Sequence, residues 1–384
     1  MDLTRSILRI AYRQEAEVMT ESNIEYELWL TRLDIANNYK NRIVDCFGDA
    51  KKVYDASKSD LISSGVIDDK IADIIVSSRD DELIDKTYQE FLSYNQGLIT
   101  RPMVNYPDKL RVIRNSPYGL FYIGHFPENF HKCVSIVGAR RCSEYGRWAA
   151  KEIAYTLSQK GYTIISGMAL GIDNASHEGA LRAKGKTVAV LGCGVDICYP
   201  RDNINTYVDI QKEGAIISEQ LPGTVPMNFN FPTRNRIISA LSNQVVIIEA
   251  RLRSGSLITA DFALEQGKDI YALPGRINDS LSAGCNALIE QGAGIITSVE
   301  DFVNNLEEVE INTLLVEDND NIQNLFLEKE DLLVYSILDF YPKGIEEIIE
   351  KTNLDMMLVL NSIMNLCKLN LAKEVFVNQY IKIK

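Results

Sequence analysis

Two arginines bracket an asparagine in Phe231-Pro232-Thr233-Arg234-Asn235-Arg236. A proline here marks the first turn of a helix. The helix macrodipole then adds to the two guanidiniums in favouring an anion at that point. A second cradle follows: Arg251 and Arg253 lead into Ser254-Gly255-Ser256, which opens another helix, with Thr259 close behind. Hydroxyls and backbone N–H groups at a helix start are suited to phosphate. Further glycine-bearing loops lie between strands and helices at 138–146, 166–173, 192–196 and 218–223. The first carries Arg140, whose planar fork of donors matches a phosphate. The second opens on Ser166 and Gly167. One such loop alone reads equally well as a plain turn. Four in series along one sheet edge read as a ligand-binding rim.

The same segments hold no visible catalyst. G-x-G-x-x-G does not occur in a strand–turn–helix setting, and the P-loop pattern is absent. His177 is the one histidine of this region and reads as a structural or hydrogen-bonding residue. No nucleophile–base pair and no paired acids for two-metal phosphoryl transfer are legible. The reading is therefore a phosphate receptor: not an enzyme, with no cofactor and no metal. The seven cysteines are odd in number and form no C-x-x-C, as expected of reduced thiols in a cytoplasmic protein. No apolar run approaches the roughly twenty residues of a membrane span. The N-terminus carries Arg5, Arg9, Arg13 and Glu15 in place of an apolar signal segment.

The elements that must position these residues follow from periodicity. Residues 25–100 read as short helices punctuated by Gly48 and Gly65. Pro102, Pro107 and Pro117 then break the pattern before a short strand at Leu120–Ile123. From Cys133 the chain alternates. Strands are expected at Val134–Val137, Thr163–Ser166, Thr187–Leu191, Ala215–Ser218, Val245–Glu249 and Asp269–Leu273. Helices are expected at Tyr145–Gln159, Asp173–Ala183, Asp202–Lys212, Pro232–Ser242 and Leu257–Glu265. Nearly all-apolar strands fit a doubly wound parallel sheet covered on both faces. Residues 304–327 read as an acidic linker. Residues 328–384 read as three helices (Asp331–Phe340, Gly344–Thr352, Asp355–Leu369) and a hairpin (Ala372–Val377, Gln379–Ile383), a winged-helix pattern in which no glycine marks the turn.

The net charge of −13 is unevenly spread. It divides as −4 over residues 1–132, zero over 133–300 and −9 over 301–384. A neutral domain can still gather its cations on one face, so the total does not exclude nucleic acid.

In this order the segments resemble the DNA-processing protein A (DprA/Smf) family. The likeness is carried by Tyr106-Pro107, Pro117, Leu120-Phe121 and Gly124, by the segments beginning at Val137, Ser166, Val190, Phe231, Ser254 and Pro274, and by Gly284-Cys285-Asn286-Ala287-Leu288-Ile289. The resemblance implies an extended Rossmann-like domain at 101–303 after an N-terminal helical SAM-like domain at 1–100. It implies binding of single-stranded DNA, protection of incoming DNA, and loading of the RecA recombinase in natural transformation or DNA processing. Carried over by motif, the DNA contacts are Arg140, Phe231, Arg234, Asn235, Arg236 and Ser254–Ser256, then Ser166, Gly167, Asn203 and Thr259. A homodimer is implied through Ala287, Leu288 and Ile289, with Ile295 and Ile296 beside them. The third C-terminal helix offers only Lys368 as a cation, so that module reads as a protein-contact or regulatory domain.

Two rival readings are a nucleotide hydrolase and a winged-helix transcription regulator. The phosphoribohydrolases among such hydrolases carry P-G-G-x-G-T-x-x-E, where this chain has Pro274-Gly275-Arg276-Ile277.

Overall fold

A computed structural model describes residues 23–306, 329–338, 342–352, 354–369, 371–376 and 378–383. The chain divides into two compact units, residues 1–303 and 304–384. The charged N-terminal residues from Arg5 to Glu15 lie outside the described residues, as does the expected acidic linker from 307 on. Its first residues, 304–306, are helical, and Leu306 is buried, so the start of that segment is ordered structure.

Among the described residues, the first unit begins with six short helices: α1 Ile24–Arg32, α2 Asn37–Phe47, α3 Ala50–Asp55, α4 Lys58–Ser63, α5 Asp69–Ser77 and α6 Asp81–Ser93. Side chains cap four of them, from Asp49, Ser57, Asp68 and Asp80. Each satisfies a backbone N–H that has no partner within its helix. Their core gathers Trp29, Leu30, Ile43, Leu61 and Ile75 around Tyr118. Leu28 and Phe91 pack instead with Phe121 and Ile216 of the sheet. The expected boundary near residue 100 is thus a change of architecture inside one unit.

The sheet has nine strands in the order β1-β2-β6-β5-β4-β3-β7-β8-β9. In chain order they are β1 Gly97–Thr100, β2 Gly119–Gly124, β3 Cys133–Gly138, β4 Thr163–Ser166, β5 Thr187–Val190, β6 Ala215–Ser218, β7 Gln244–Ile248, β8 Asp269–Ala272 and β9 Gly294–Ile295. From β3 to β9 every pairing is parallel. The six expected strands and five expected helices all occur, with ends shifted by at most two residues. Periodicity did not reveal the other edge. The strand at 119–124 pairs antiparallel with β6 and with β1, so the sheet is mixed. An antiparallel edge needs no crossover helix and therefore leaves no helix–strand alternation to read.

This unit also has the helices α7 Asp108–Arg111, α8 Glu144–Gln159, α9 Ile172–Arg182, α10 Ile204–Glu213, α11 Asn230–Leu241, α12 Gly255–Glu265 and α13 Ala283–Glu290, and a further helical stretch from 299. All residues of β5 and β7 are buried, as helices on both faces require. The chain winds outward from β3 through β4 and β5 to β6, then returns to place β7 on the other side of β3. That reversal opens a crevice at the carboxyl ends of β3 and β7.

The second unit has α14 Lys329–Ile337, α15 Ile345–Thr352 and α16 Met356–Lys368, with a three-stranded sheet of β10 Lys343–Gly344, β12 Gln379–Lys382 and β11 Ala372–Phe376 in that order. Val334, Ile348, Val359, Ile363 and Leu366 form its core. The hairpin turn lacking a glycine is made by Asn378, at φ 58°. Asparagine tolerates the left-handed region better than other side chains. Residues 339–340 of the first expected helix and Val377 of the hairpin lie outside the described residues. Among the described residues, no helix is long and apolar enough to cross a membrane.

Candidate nucleic-acid interface

The crevice is a cleft of about 460 Å³ whose lining includes Gly138, Arg140, Arg141, Asp173, Phe231, Arg234, Asn235, Arg251, Arg253, Ser254, Gly255, Ser256 and Thr259. Most of its lining comes from two strand-to-helix connections and the helix between them. Residues 138–143 follow β3, residues 250–254 follow β7, and the first turn of α11 closes the side. Its charged lining is five arginines against one carboxylate. A stretch with no net charge, residues 133–300, thus places five of its sixteen cations at one end of the sheet.

The loop after β3 is held from below. Ser143 caps α8 by accepting from the Gly146 N–H, while its own N–H donates to Glu249 Oε2 at 2.8 Å and its hydroxyl donates to Glu249 Oε1. Glu249 is 6 % exposed and sits at φ 51°, at the end of β7. A non-glycine residue there costs energy and persists only where its surroundings fix it. Gly171, at φ 79°, lies under the same loop; a Cβ on it would stand 2.3 Å from the Ala139 carbonyl oxygen. Arg140 is then left exposed, its guanidinium carbon 5.4 Å from the Phe231 ring centre. The ring of Tyr199 stacks on Phe231 at 5.6 Å. Cation–π contact and stacking both orient groups that remain open to a ligand.

Arg234 does something different. It is 5 % exposed and donates to the carbonyls of Gly167, at 2.7 Å, and Val190. Burial lowers its pKa to about 10, against the opposing pull of Asp173, so it stays charged at neutral pH. A Cβ at Gly167 would meet this guanidinium at 2.6 Å, which is the reason for glycine there. Arg234 therefore ties together the ends of β4 and β5 and brings its charge to the cleft from beneath. Asp173 is 6 % exposed; burial raises its pKa, while Arg234 and backbone donors pull it down. Asn235 lies on the rim and donates to the Gly255 carbonyl at 3.2 Å, joining α11 to the start of α12. Ser254 caps α12, accepting from the Ser256 N–H.

Of the expected contacts, the structure brings Arg140, Phe231, Arg234, Asn235, Ser254, Gly255, Ser256 and Thr259 to one cleft. It places Arg236 elsewhere. That guanidinium is 5 % exposed, forks onto Glu219 at 2.6 and 2.8 Å, and also donates to the carbonyls of Asn115 and Thr233. Residues 234 and 236 are two apart on a helix and so cannot share a face. Ser166, Gly167 and Asn203 do not line the cleft but set its floor. Ser166 donates to the Ile136 carbonyl at 2.6 Å, and Asn203 to those of Met168 and Ala169. Sequence reasoning noted Arg251 and Arg253 only as the lead-in to the second cradle and named neither them nor Arg141 among the contacts, although each follows a strand end. It also missed Asp173 and Glu249, whose roles rest on contacts distant in sequence.

His177 is fully buried. Thr187 Oγ1 donates to the Ile164 carbonyl, so it accepts from His177 Nδ1 at 2.7 Å. Burial, with Arg234 nearby, pushes the imidazole down to about 3, and it is neutral. It is not part of the cleft lining.

Ala287, Leu288 and Ile289 lie on α13, half-buried, with Leu288 and Ile289 packed against the main core. Ile296 is buried, while Ile295 is 50 % exposed. Leu264, 62 % exposed, shares a groove with Leu288 and Tyr271.

Comparison with known proteins places these features in a group. Residues 97–307 match the family described as DNA recombination-mediator protein A. The chain is 40 % identical over 228 residues to DNA processing protein DprA of Streptococcus pneumoniae, covering 59 % of this chain and 79 % of that one. It is 39 % identical over 216 residues to DNA processing protein DprA of Bacillus subtilis, covering 56 % and 73 %. The solved structure of DprA from Streptococcus pneumoniae superposes with a TM-score of 0.63 at 33 % identity, over 73 % of this chain and 97 % of that one. That of DNA processing protein A from Helicobacter pylori, described with its single-stranded DNA binding mode, gives 0.51 at 31 %, over 56 % and 97 %.

Proposed function

This chain belongs to the DNA recombination-mediator protein A family, and we propose that it holds single-stranded DNA in the β3/β7 cleft, protects it and passes it to the RecA recombinase. The observation that carries the reading is the cleft's charge: five arginines, one deeply buried carboxylate, and the Phe231 ring among them. Phosphates would meet Arg140, Arg141, Arg251 and Arg253 with the Ser254–Ser256 turn, and a base would meet Phe231. Arg234, Ser166, Gly167 and Asn203 would act by shaping the site. Apart from the buried Asp173 carboxylate the lining offers guanidiniums, hydroxyls and an amide, groups suited to holding an oxyanion, and we read the protein as a carrier with no covalent step. The single-stranded DNA binding mode of the Helicobacter pylori relative agrees with this. Recombinase loading and a role in natural transformation rest on the family likeness.

Single strands of any sequence should bind in preference to duplex. Log affinity should fall linearly with log salt, with a slope of about −0.7 per phosphate neutralised. Fluorescence anisotropy with single- and double-stranded oligonucleotides across a salt series checks this. Equal affinity for duplex, or binding insensitive to salt, would reject the cleft as a strand-binding site.

We read the six N-terminal helices as the SAM-like domain, and the helices and hairpin of residues 329–383 as a winged helix. A groove-reading helix wants several basic or amide side chains, and α16 offers Lys368 as its one cation, which favours a protein-contact role. We also read the protein as a homodimer through α13 and its surroundings. Exposed Leu264 and Ile295 support this, and two clefts on one strand would raise affinity through effective concentration. Because Leu288 partly serves the core, the sharper variant is Leu264→Glu with Ile295→Glu. It should convert a dimer at tens of micromolar (roughly the range of a modest interface) into a folded monomer by light scattering. A parent chain monomeric under those conditions would rule the dimer out.

A further inference from the structure

Tyr145 and Trp148 stand on the first turns of α8, each 55 % exposed, with their rings stacked at 6.0 Å and 29°. Residues three apart share one face of a helix. The opposite side of this turn is committed inward, since a Cβ on Gly146 would stand 2.4 Å from the Glu249 carboxyl. The aromatic pair is therefore directed outward by the same anchor that fixes the loop of Arg140. It also follows the cleft closely along the chain. Arg141 lines the cleft, and four residues of chain carry it to Tyr145, at most about 14 Å. Arg147 lies between the two aromatics in sequence, with a half-exposed side chain 3.8 Å from Glu144. Arg141 and Arg147 thus lie within four and two residues of Tyr145 in sequence, with Glu144 beside Arg147. Large flat rings beside cations, open to solvent, are what unpaired bases stack on.

We propose that Tyr145 and Trp148 form a stacking platform for bases of a single strand that runs out of the cleft past Arg141. The proposal rests on the single-stranded DNA reading above and extends it. The cleft holds phosphates, whereas this platform takes bases, and so lengthens the stretch of strand the protein covers.

The chain has two tryptophans, which makes the test direct. Trp29 is 6 % exposed, its indole N–H bonded to Ser78, so a change in emission on adding DNA reports Trp148. An oligonucleotide of about 20 residues should quench the emission of the full chain, and the same strand made abasic outside a short central stretch should bind without quenching. Tyr145→Ala with Trp148→Ala should weaken binding of the base-bearing strand about tenfold for each base stacked. It should leave the abasic strand's affinity and the far-UV circular dichroism unchanged. Trp148→Phe should keep the affinity and lose the signal. Binding by the parent with no quenching, and equal affinity in the double variant, would overturn the platform while leaving the cleft intact. Equal losses on both strands, together with a change in oligomeric state, would make the pair a protein contact and also overturn it. A parent that bound no single strand would remove the cleft reading and this one together.

Discussion

Arg236→Ala is expected to cost about 3–5 kcal/mol of folding stability and to leave the salt dependence of DNA binding unchanged. The side chains of Arg236 and Glu219 are 6 % and 9 % exposed, and they meet in a two-pronged bridge. Removing the guanidinium strands a buried carboxylate and also deprives the Asn115 and Thr233 carbonyls of a donor. Breaking one half of a buried pair is far more damaging than losing a surface pair. Replacing both partners with apolar residues of similar size, as in Arg236→Met with Glu219→Leu, should recover much of the loss. Urea melts of the parent and the two variants supply the measurement. An Arg236→Ala protein as stable as its parent, with a shallower salt slope, would put this arginine in the cleft after all.

The opposite pattern is expected at Arg140→Ala. This side chain is exposed and has no ion-pair partner among the described residues; its packing partner is the Phe231 ring. Its loss should change stability by no more than about 0.5 kcal/mol. Strand affinity should fall roughly ten- to a hundredfold, as when a charge-assisted hydrogen bond of about 1.5–3 kcal/mol is lost. The salt slope should flatten by about 0.7, the contribution of one phosphate. Arg140→Lys should restore the slope and only part of the affinity, because an ammonium keeps the charge without the planar fork. Anisotropy titrations at several salt concentrations read both quantities. An unchanged slope in Arg140→Ala would show that this residue meets no phosphate.

These contrasting expectations show where the sequence was informative. The parallel core was legible because its strands are short, apolar and separated by helix-length segments. Thr163–Ser166 and Ala215–Ser218 were placed to the residue for that reason. The loops after the strands could be named as a rim because the fold class alone says where ligands sit. The direction each side chain takes was not legible. Arg234 and Arg236 look alike in sequence, yet one supports the cleft floor and the other closes an ion pair with a residue 17 positions away. The antiparallel edge at β1 and β2 was half-seen, since a strand that pairs across more than twenty residues leaves no local period. Asp173 and Glu249 were passed over because a lone acid beside an apolar strand looks like a turn residue until its partners are known. Ala287, Leu288 and Ile289 looked like surface because an apolar run does not say which side faces in; two of them touch the core.

The cleft is small beside the strand it is read to carry. Its volume, about 460 Å³, gives purchase on a few nucleotides at a time. A long strand held at several such points has no single grip that must fail all at once. One segment can lift away while its neighbours stay seated, and a filament growing along the strand can claim each segment as it is freed. Release then proceeds like a zip opening from one end, its speed set by the tightest single hold and not by the sum of them. In a protein read as a carrier, that makes tight total binding compatible with quick surrender.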